Sequence, residues 1–210
     1  NHATPAVAYS HVKTRSFYRD ITKQLPSSGF EFFAGYSFVD FLNVEGELNA
    51  DDFLARAGYP TYYGVEEFRD RDASLGKAIL VHDKCRVRKS SITAEIDLNK
   101  QYTLEDDKGE VPLCSMLDCC LDMFSDKKPF IILCEEGNVD HASHINFPMA
   151  VVNEVKKLEA SVARALEFYE SHPKETLIIV ISDHETGGLT LGRKNGEWID
   201  HTKRFEVKHL

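Results

Sequence analysis

The chain has 210 residues, 42% hydrophobic and 28% charged, which suits a globular domain with a buried core. Its formal charge of −9, from 25 basic against 34 acidic residues, argues against a nucleic-acid backbone as partner, since that role calls for basic stripes. No run reaches the roughly 18–20 apolar residues of a membrane span. The opening Asn1-His2-Ala3-Thr4-Pro5-Ala6-Val7 lacks the basic start and apolar run of a signal peptide. With no initiator methionine, the chain reads as a piece of something longer.

In chain order, the first apolar run is Phe32–Ala34, short for a strand. Ala50 to Gly58 reads as a helix, with acids in its first turn and a glycine at its end. Ala78–Val81 is a second strand-like run. Arg86–Lys108 alternates too irregularly to assign and reads as an exposed strand or an insertion. Leu113, Met116, Leu117, Cys120, Leu121 and Phe124 recur at helical spacing just before a third run, Phe130–Cys134. Val151, Val155, Leu158, Val162, Leu166 and Tyr169 mark a long helix, and its apolar stripe is expected to pack in the core. A fourth run, Leu177–Ile181, follows. Asn195-Gly196 predicts a hairpin within 187–210, the start of an inserted subdomain on an otherwise single partial domain, 1–210.

The apolar runs are short, branched and uninterrupted, as in strands covered on both faces. Alternation with helices predicts an α/β fold, doubly wound, with a largely parallel sheet and helices on both faces. The five cysteines, Cys85, Cys114, Cys119, Cys120 and Cys134, form no C-x-x-C pair and read as buried small hydrophobes.

Open α/β sheets place their chemistry at the carboxyl ends of strands. Two of the predicted strands end in clusters of metal-ligand types. After Cys134 comes Glu135-Glu136-Gly137-Asn138-Val139-Asp140-His141-Ala142-Ser143-His144. After Ile181 comes Ser182-Asp183-His184-Glu185-Thr186-Gly187-Gly188. Carboxylate oxygen and imidazole nitrogen together suit zinc or a similar divalent ion. Asp140 and His144, four apart, share one helix face. One such pair would ordinarily be a turn or a cap; two at two strand ends favour metal binding.

These clusters resemble the alkaline phosphatase family, whose pattern runs E-G-x-x-I-D-x-x-x-H and later T-A-D-H-E-T-G-G. His2-Ala3-Thr4-Pro5-Ala6 is similar to the family's (D/H)-A-T-P-A segment, and Arg15 falls where the family has its phosphate-gripping arginine. The resemblance implies a sheet sandwich holding two zinc ions and one magnesium. Asp140 and His144 would bind one zinc, Asp183 and His184 the other, and Thr4 and Glu135 the magnesium. His2 and His141 would orient these ligands or serve a weaker metal. The chain departs from the family with Glu136 where glycine is usual. Counting five residues back from Asp140 selects Glu135, leaving Glu136 facing solvent or as an extra ligand.

The implied activity is hydrolysis of small phosphate monoesters through a phosphoserine intermediate, with the guanidinium of Arg15 gripping two phosphate oxygens. The family's nucleophilic serine precedes the A-T-P segment and is not in this chain. Its last zinc histidine, in an H-x-G motif, matches neither His201 nor His209. The fragment alone is therefore expected to be inactive, with incomplete metal sites. The resemblance also implies a periplasmic or secreted parent, often a homodimer. Alternatives are a related metal-dependent phosphodiesterase, sulfatase or phosphomutase, or a non-enzymatic metal-binding module.

Overall fold

The computed structural model describes residues 1–39, 49–83, 111–126, 129–144 and 147–186, and two short strands at 193–194 and 197–198. The stretch Arg86–Lys108 and most of 187–210 lie outside the described residues. The chain divides into two compact units, Asn1–Ile96 with Asp107–Glu135, and Asp97–Asp106 with Glu136–Leu210.

The first unit is built on three parallel strands, β1 (Phe32–Gly35), β2 (Thr61–Tyr63) and β3 (Ala78–Val81), in the order β1-β3-β2. Phe32 pairs with Ala78 and Thr61 with Ile79, so β3 lies in the middle. All four of its residues are buried. Because successive side chains of a strand point to opposite faces, the sheet carries two cores. Ile79 and Val81 join Leu25, Ala50, Leu54 and Tyr59 on one side. Ala78 and Leu80 join Phe68, Val111, Met116, Cys119 and Met123 on the other.

Helices supply both cores. Helix α1 (Tyr18–Gln24) precedes β1. Helix α2 (Ala50–Arg56) links β1 to β2 and buries Ala50 and Leu54. Its start is fixed by Asn49, whose side chain accepts from the Asp52 N–H at 2.8 Å. Its end is fixed by Gly58, whose φ of 85° is open to glycine at little cost. Helix α3 (Val65–Arg69) and helix α4 (Leu113–Phe124) cover the opposite face through Phe68, Met116 and Cys119. A parallel sheet with helices on both faces is the α/β arrangement expected from the sequence.

The second unit contains α5 (Asn138–His144), α6 (Pro148–Ser171) and an antiparallel pair, β4 (Arg193–Lys194) with β5 (Glu197–Trp198). That pair flanks Asn195-Gly196, which lie outside the described residues. Helix α6 runs the length predicted but does not bury its apolar stripe. Val155, Leu166 and Tyr169 are exposed, while Ala150, Glu154 and Ser161 are buried. Glu154 reaches the interior because Lys157 Nζ donates to its Oε1 at 2.9 Å, which compensates part of the desolvation cost.

Two predicted strands differ from expectation. Phe130–Cys134 and Leu177–Ile181 pair with no strand among the described residues. They are not buried: Ile131 is 93% and Leu177 82% exposed. Composition alone marks a segment as able to be a buried strand. Burial also needs ladder neighbours and cover on both faces, and the described strands supply neither here.

Candidate metal centre

The amino-terminal segment is fixed from its first residue. Asn1 Nδ2 donates to the carbonyls of Val39 at 2.8 Å and Tyr18 at 3.2 Å, and to Thr22 Oγ1 at 3.0 Å. The Val39 N–H donates back to Asn1 Oδ1 at 2.9 Å. Val39 follows the carboxyl end of β1, so this latch brings the next three residues to the sheet edge where α/β proteins place ligands. His2 sits against Tyr18, ring centroids 5.7 Å apart. Thr4 opens a 3-10 turn, Thr4–Ala8, whose Pro5 suits the first turn of a helix.

Glu135, 131 residues away in sequence, grips Thr4 with both carboxylate oxygens. Oε2 accepts from the Thr4 N–H at 2.8 Å, and Oε1 accepts from its hydroxyl. The structure thus joins the two residues assigned to magnesium within the first unit. Arg15 lies exposed in a turn where Ser16 N–H donates to Thr14 Oγ1 at 3.1 Å. Its guanidinium has no hydrogen bond or ion pair with another described residue. A shallow depression of about 400 Å³, lined by His11, Lys13, Phe17, Asp20, Lys23 and Gln24, shares Lys13 with that stretch and is mainly cationic.

In the second unit His144 and His184 approach the Asp140 carboxylate, and Asp183 approaches His184. Asp140 and His144 lie one turn apart on α5, and His144 Nε2 is 3.4 Å from Asp140 Oδ1. His184 Nε2 is 3.8 Å from the same oxygen and 3.4 Å from Asp183 Oδ2. The turn after Ile181 is shaped by Ser182 Oγ, which donates to the His184 carbonyl at 2.9 Å. Thr186 Oγ1 donates to Asp140 Oδ1 at 3.3 Å, a contact the sequence reading did not single out. Its signal was the threonine of D-H-E-T, read there only as part of a motif. His141, on the same helix, is half-buried.

By type the donors fit their ions. Aspartate with histidine suits zinc, and a hydroxyl with a carboxylate suits magnesium, which prefers oxygen. By position they are not yet assembled. Among the described residues no three His, Cys, Asp or Glu side chains form a group able to hold a metal ion. The imidazoles approach carboxylate oxygens that would have to turn toward a shared cation.

The sulfur chemistry nearby is of another kind. Burial first, then the neighbouring Cys134 and Cys119 thiols, push the Cys120 thiol up to about 12. Cys134, next to Glu135, is exposed as a residue, yet partial burial of its thiol also raises it. Neither thiol is a ready nucleophile at neutral pH.

Comparison with known proteins identifies the family. The sequence profile of the alkaline phosphatase family matches residues 94–209. Alkaline phosphatase 4 of Bacillus subtilis is 36% identical over 208 residues, covering 94% of this chain and 40% of that protein. The repressible alkaline phosphatase of Saccharomyces cerevisiae is 28% identical over 191 residues, covering 90% and 28%. A variant alkaline phosphatase from the Antarctic bacterium TAB5, solved with Mg bound in its M3 site, superposes with a TM-score of 0.72. It is 25% identical, with 96% of this chain and 56% of that one covered. The chain spans less than half the length of these two curated relatives. With the profile covering more than half of its residues, the chain belongs to the alkaline phosphatase family.

Proposed function

We propose that the protein carrying this chain is a metal-dependent phosphomonoesterase acting on small phosphate monoesters through a phosphoserine intermediate, and that these 210 residues alone are inactive. The observation that supports this most is the approach of His144 and His184 to one carboxylate oxygen of Asp140, with Asp183 against His184. In this reading Asp140 and His144 hold one zinc, Asp183 and His184 a second, and Thr4 and Glu135 a magnesium. When bound, such ions lower the pKa of a hydroxyl or water and offset charge on attacking and leaving oxygens.

The chain's own residues do the rest. Thr186 holds Asp140 in place while its carboxylate turns to a cation. Glu135 fixes the turn that carries Thr4. Arg15, exposed and untied to the described residues, is free to place its planar fork on two phosphate oxygens. His2 and His141 orient the ligands beside them. The serine nucleophile and the last zinc histidine belong to other segments of the parent, which this reading places in the periplasm or outside the cell, as a homodimer. Among the described residues no helix is long and apolar enough to cross a membrane.

A chromogenic phosphate monoester, assayed with added zinc and magnesium, tests the proposal on both the chain and its full-length parent. The parent turns over, and Asp183→Asn lowers kcat/KM by roughly a hundredfold or more, on the scale of losing an electrostatic contact to the transition state. Robust turnover by the chain alone, abolished by the same change, would refute its inactivity. No turnover by the parent would refute the activity.

A further inference from the structure

We propose that the cationic hollow beside Arg15 is a subsite for a carboxylate, so that this protein favours phosphate monoesters of hydroxy acids. The hollow, of about 400 Å³, is lined by Lys13 of the segment before Arg15, by Phe17, and by Asp20 and Lys23 of helix α1. Gln24 holds that geometry. The His11 N–H donates to Gln24 Oε1 at 2.8 Å, and Gln24 Nε2 donates back to the His11 carbonyl at 3.4 Å. This two-way pairing ties the backbone two residues before Lys13 to the end of the helix that carries Lys23.

Arg15 sits at the border of the hollow. Its turn is closed by the Phe17 N–H, which donates to the Thr14 carbonyl at 3.2 Å. Lys13 and Phe17, two residues to either side of Arg15, both line the hollow. A second hollow, of about 370 Å³, adds Ser16 while sharing Phe17, Asp20 and Lys23.

The lining is unlike the chain around it. The chain carries a formal charge of −9, yet two lysines against one aspartate leave this hollow with one positive charge in excess. A cation-lined cleft raises the local concentration of anions. Neither lysine ammonium has a hydrogen bond or ion pair with another described residue, so both are open to a ligand. Lys23, in the last turn of α1, also complements the helix dipole; Lys13 lies in no helix and has no such role. One excess positive charge matches a carboxylate better than a second, doubly charged phosphate. Phe17, 46% exposed, offers apolar surface to the carbon skeleton between the two anionic ends. Giving the phosphate end to Arg15 rests on the proposed function; the pull of the hollow on a carboxylate does not.

The test compares the terminal phosphate esters of glycerate and of glycerol, which differ only in a carboxylate for a hydroxymethyl group. Dissociation constants for both are measured on the metal-free chain by NMR titration, and kcat/KM for both on the full-length parent. The glycerate ester binds about twofold to fivefold tighter, the scale of one exposed ion pair, and added salt narrows that ratio. Lys13→Gln and Lys23→Gln each shrink the ratio, while Asp20→Asn widens it, an opposite sign that loss of folding does not produce. The parent shows the same preference in kcat/KM. Equal binding of the two esters by the unaltered chain overturns the proposal. So does a ratio that neither lysine variant changes, one that Asp20→Asn fails to widen, or a parent that hydrolyses both esters with equal kcat/KM. A parent that hydrolyses neither ester, beside a chain that keeps the ratio, supports the subsite and refutes the phosphatase activity.

Discussion

Tyr9 shows how one side chain ties this fold to solution conditions. It packs edge-on against Phe33, centroids 5.5 Å apart, and burial raises its hydroxyl from the ordinary 10.0 to about 12. The folded chain therefore holds the proton more tightly than the unfolded chain does. The stability this contributes is complete below pH 10 and is lost as pH rises toward about 12. Tyrosinate absorbance during alkaline titration should show late ionisation that shrinks by one group in Tyr9→Phe, and the variant should lose less stability between those two values. Identical late titration in the variant would assign the effect elsewhere. At the same scale, the sites were unevenly legible. Asp140 and His144 could be paired by spacing, since four residues make one helical turn. Thr4 and Glu135 are 131 residues apart, and no local rule joins them. Only resemblance to a family placed both at one ion.

At the scale of elements, the sequence was most readable where local signals and tertiary packing agree. Helix α2 has an Asn49 cap, acids in its first turn, Gly58 beyond its end and a fully buried Leu54. Asn49→Ala should cost about 1 kcal/mol, because one helix N–H loses its acceptor. Leu54→Ala should cost about 2–5 kcal/mol, because it empties space between α2 and the sheet. Denaturant unfolding of both variants tests that order; a larger loss for Asn49→Ala would mean the helix is held by its cap rather than its packing. Helix α6 shows the limit of such reading. Its period was visible, but the face it buries holds Ser161, which donates to the Lys157 carbonyl, and Glu154, whose Oε1 is paired by Lys157 while its Oε2 is buried with no hydrogen-bond partner. A stripe of apolar residues shows where a helix can bury surface. Its neighbours decide whether it does.

For the molecule as a whole, the same distinction separates β3 from the other apolar runs. Ala78–Val81 and Leu177–Ile181 look alike in sequence, yet the first has a strand on each side and the second has none among the described residues. Ile179 and Ile181 are 70% and 83% exposed, in a five-residue stretch with no charge and no proline. Unpaired backbone beside branched apolar side chains is a template for adding strands. In the longer protein proposed above, further strands would take that place. On its own, the chain should instead recruit copies of itself. Sedimentation across a concentration series should show self-association that Ile179→Lys, introducing a charge on the run, shifts to at least severalfold higher concentration. Ile131→Lys should act in the same direction on the other exposed run, while Val7→Lys, at an equally exposed residue outside both runs, should not. If all three variants associate like the unaltered chain, the apolar runs are covered in solution, and their exposure has no part in assembly.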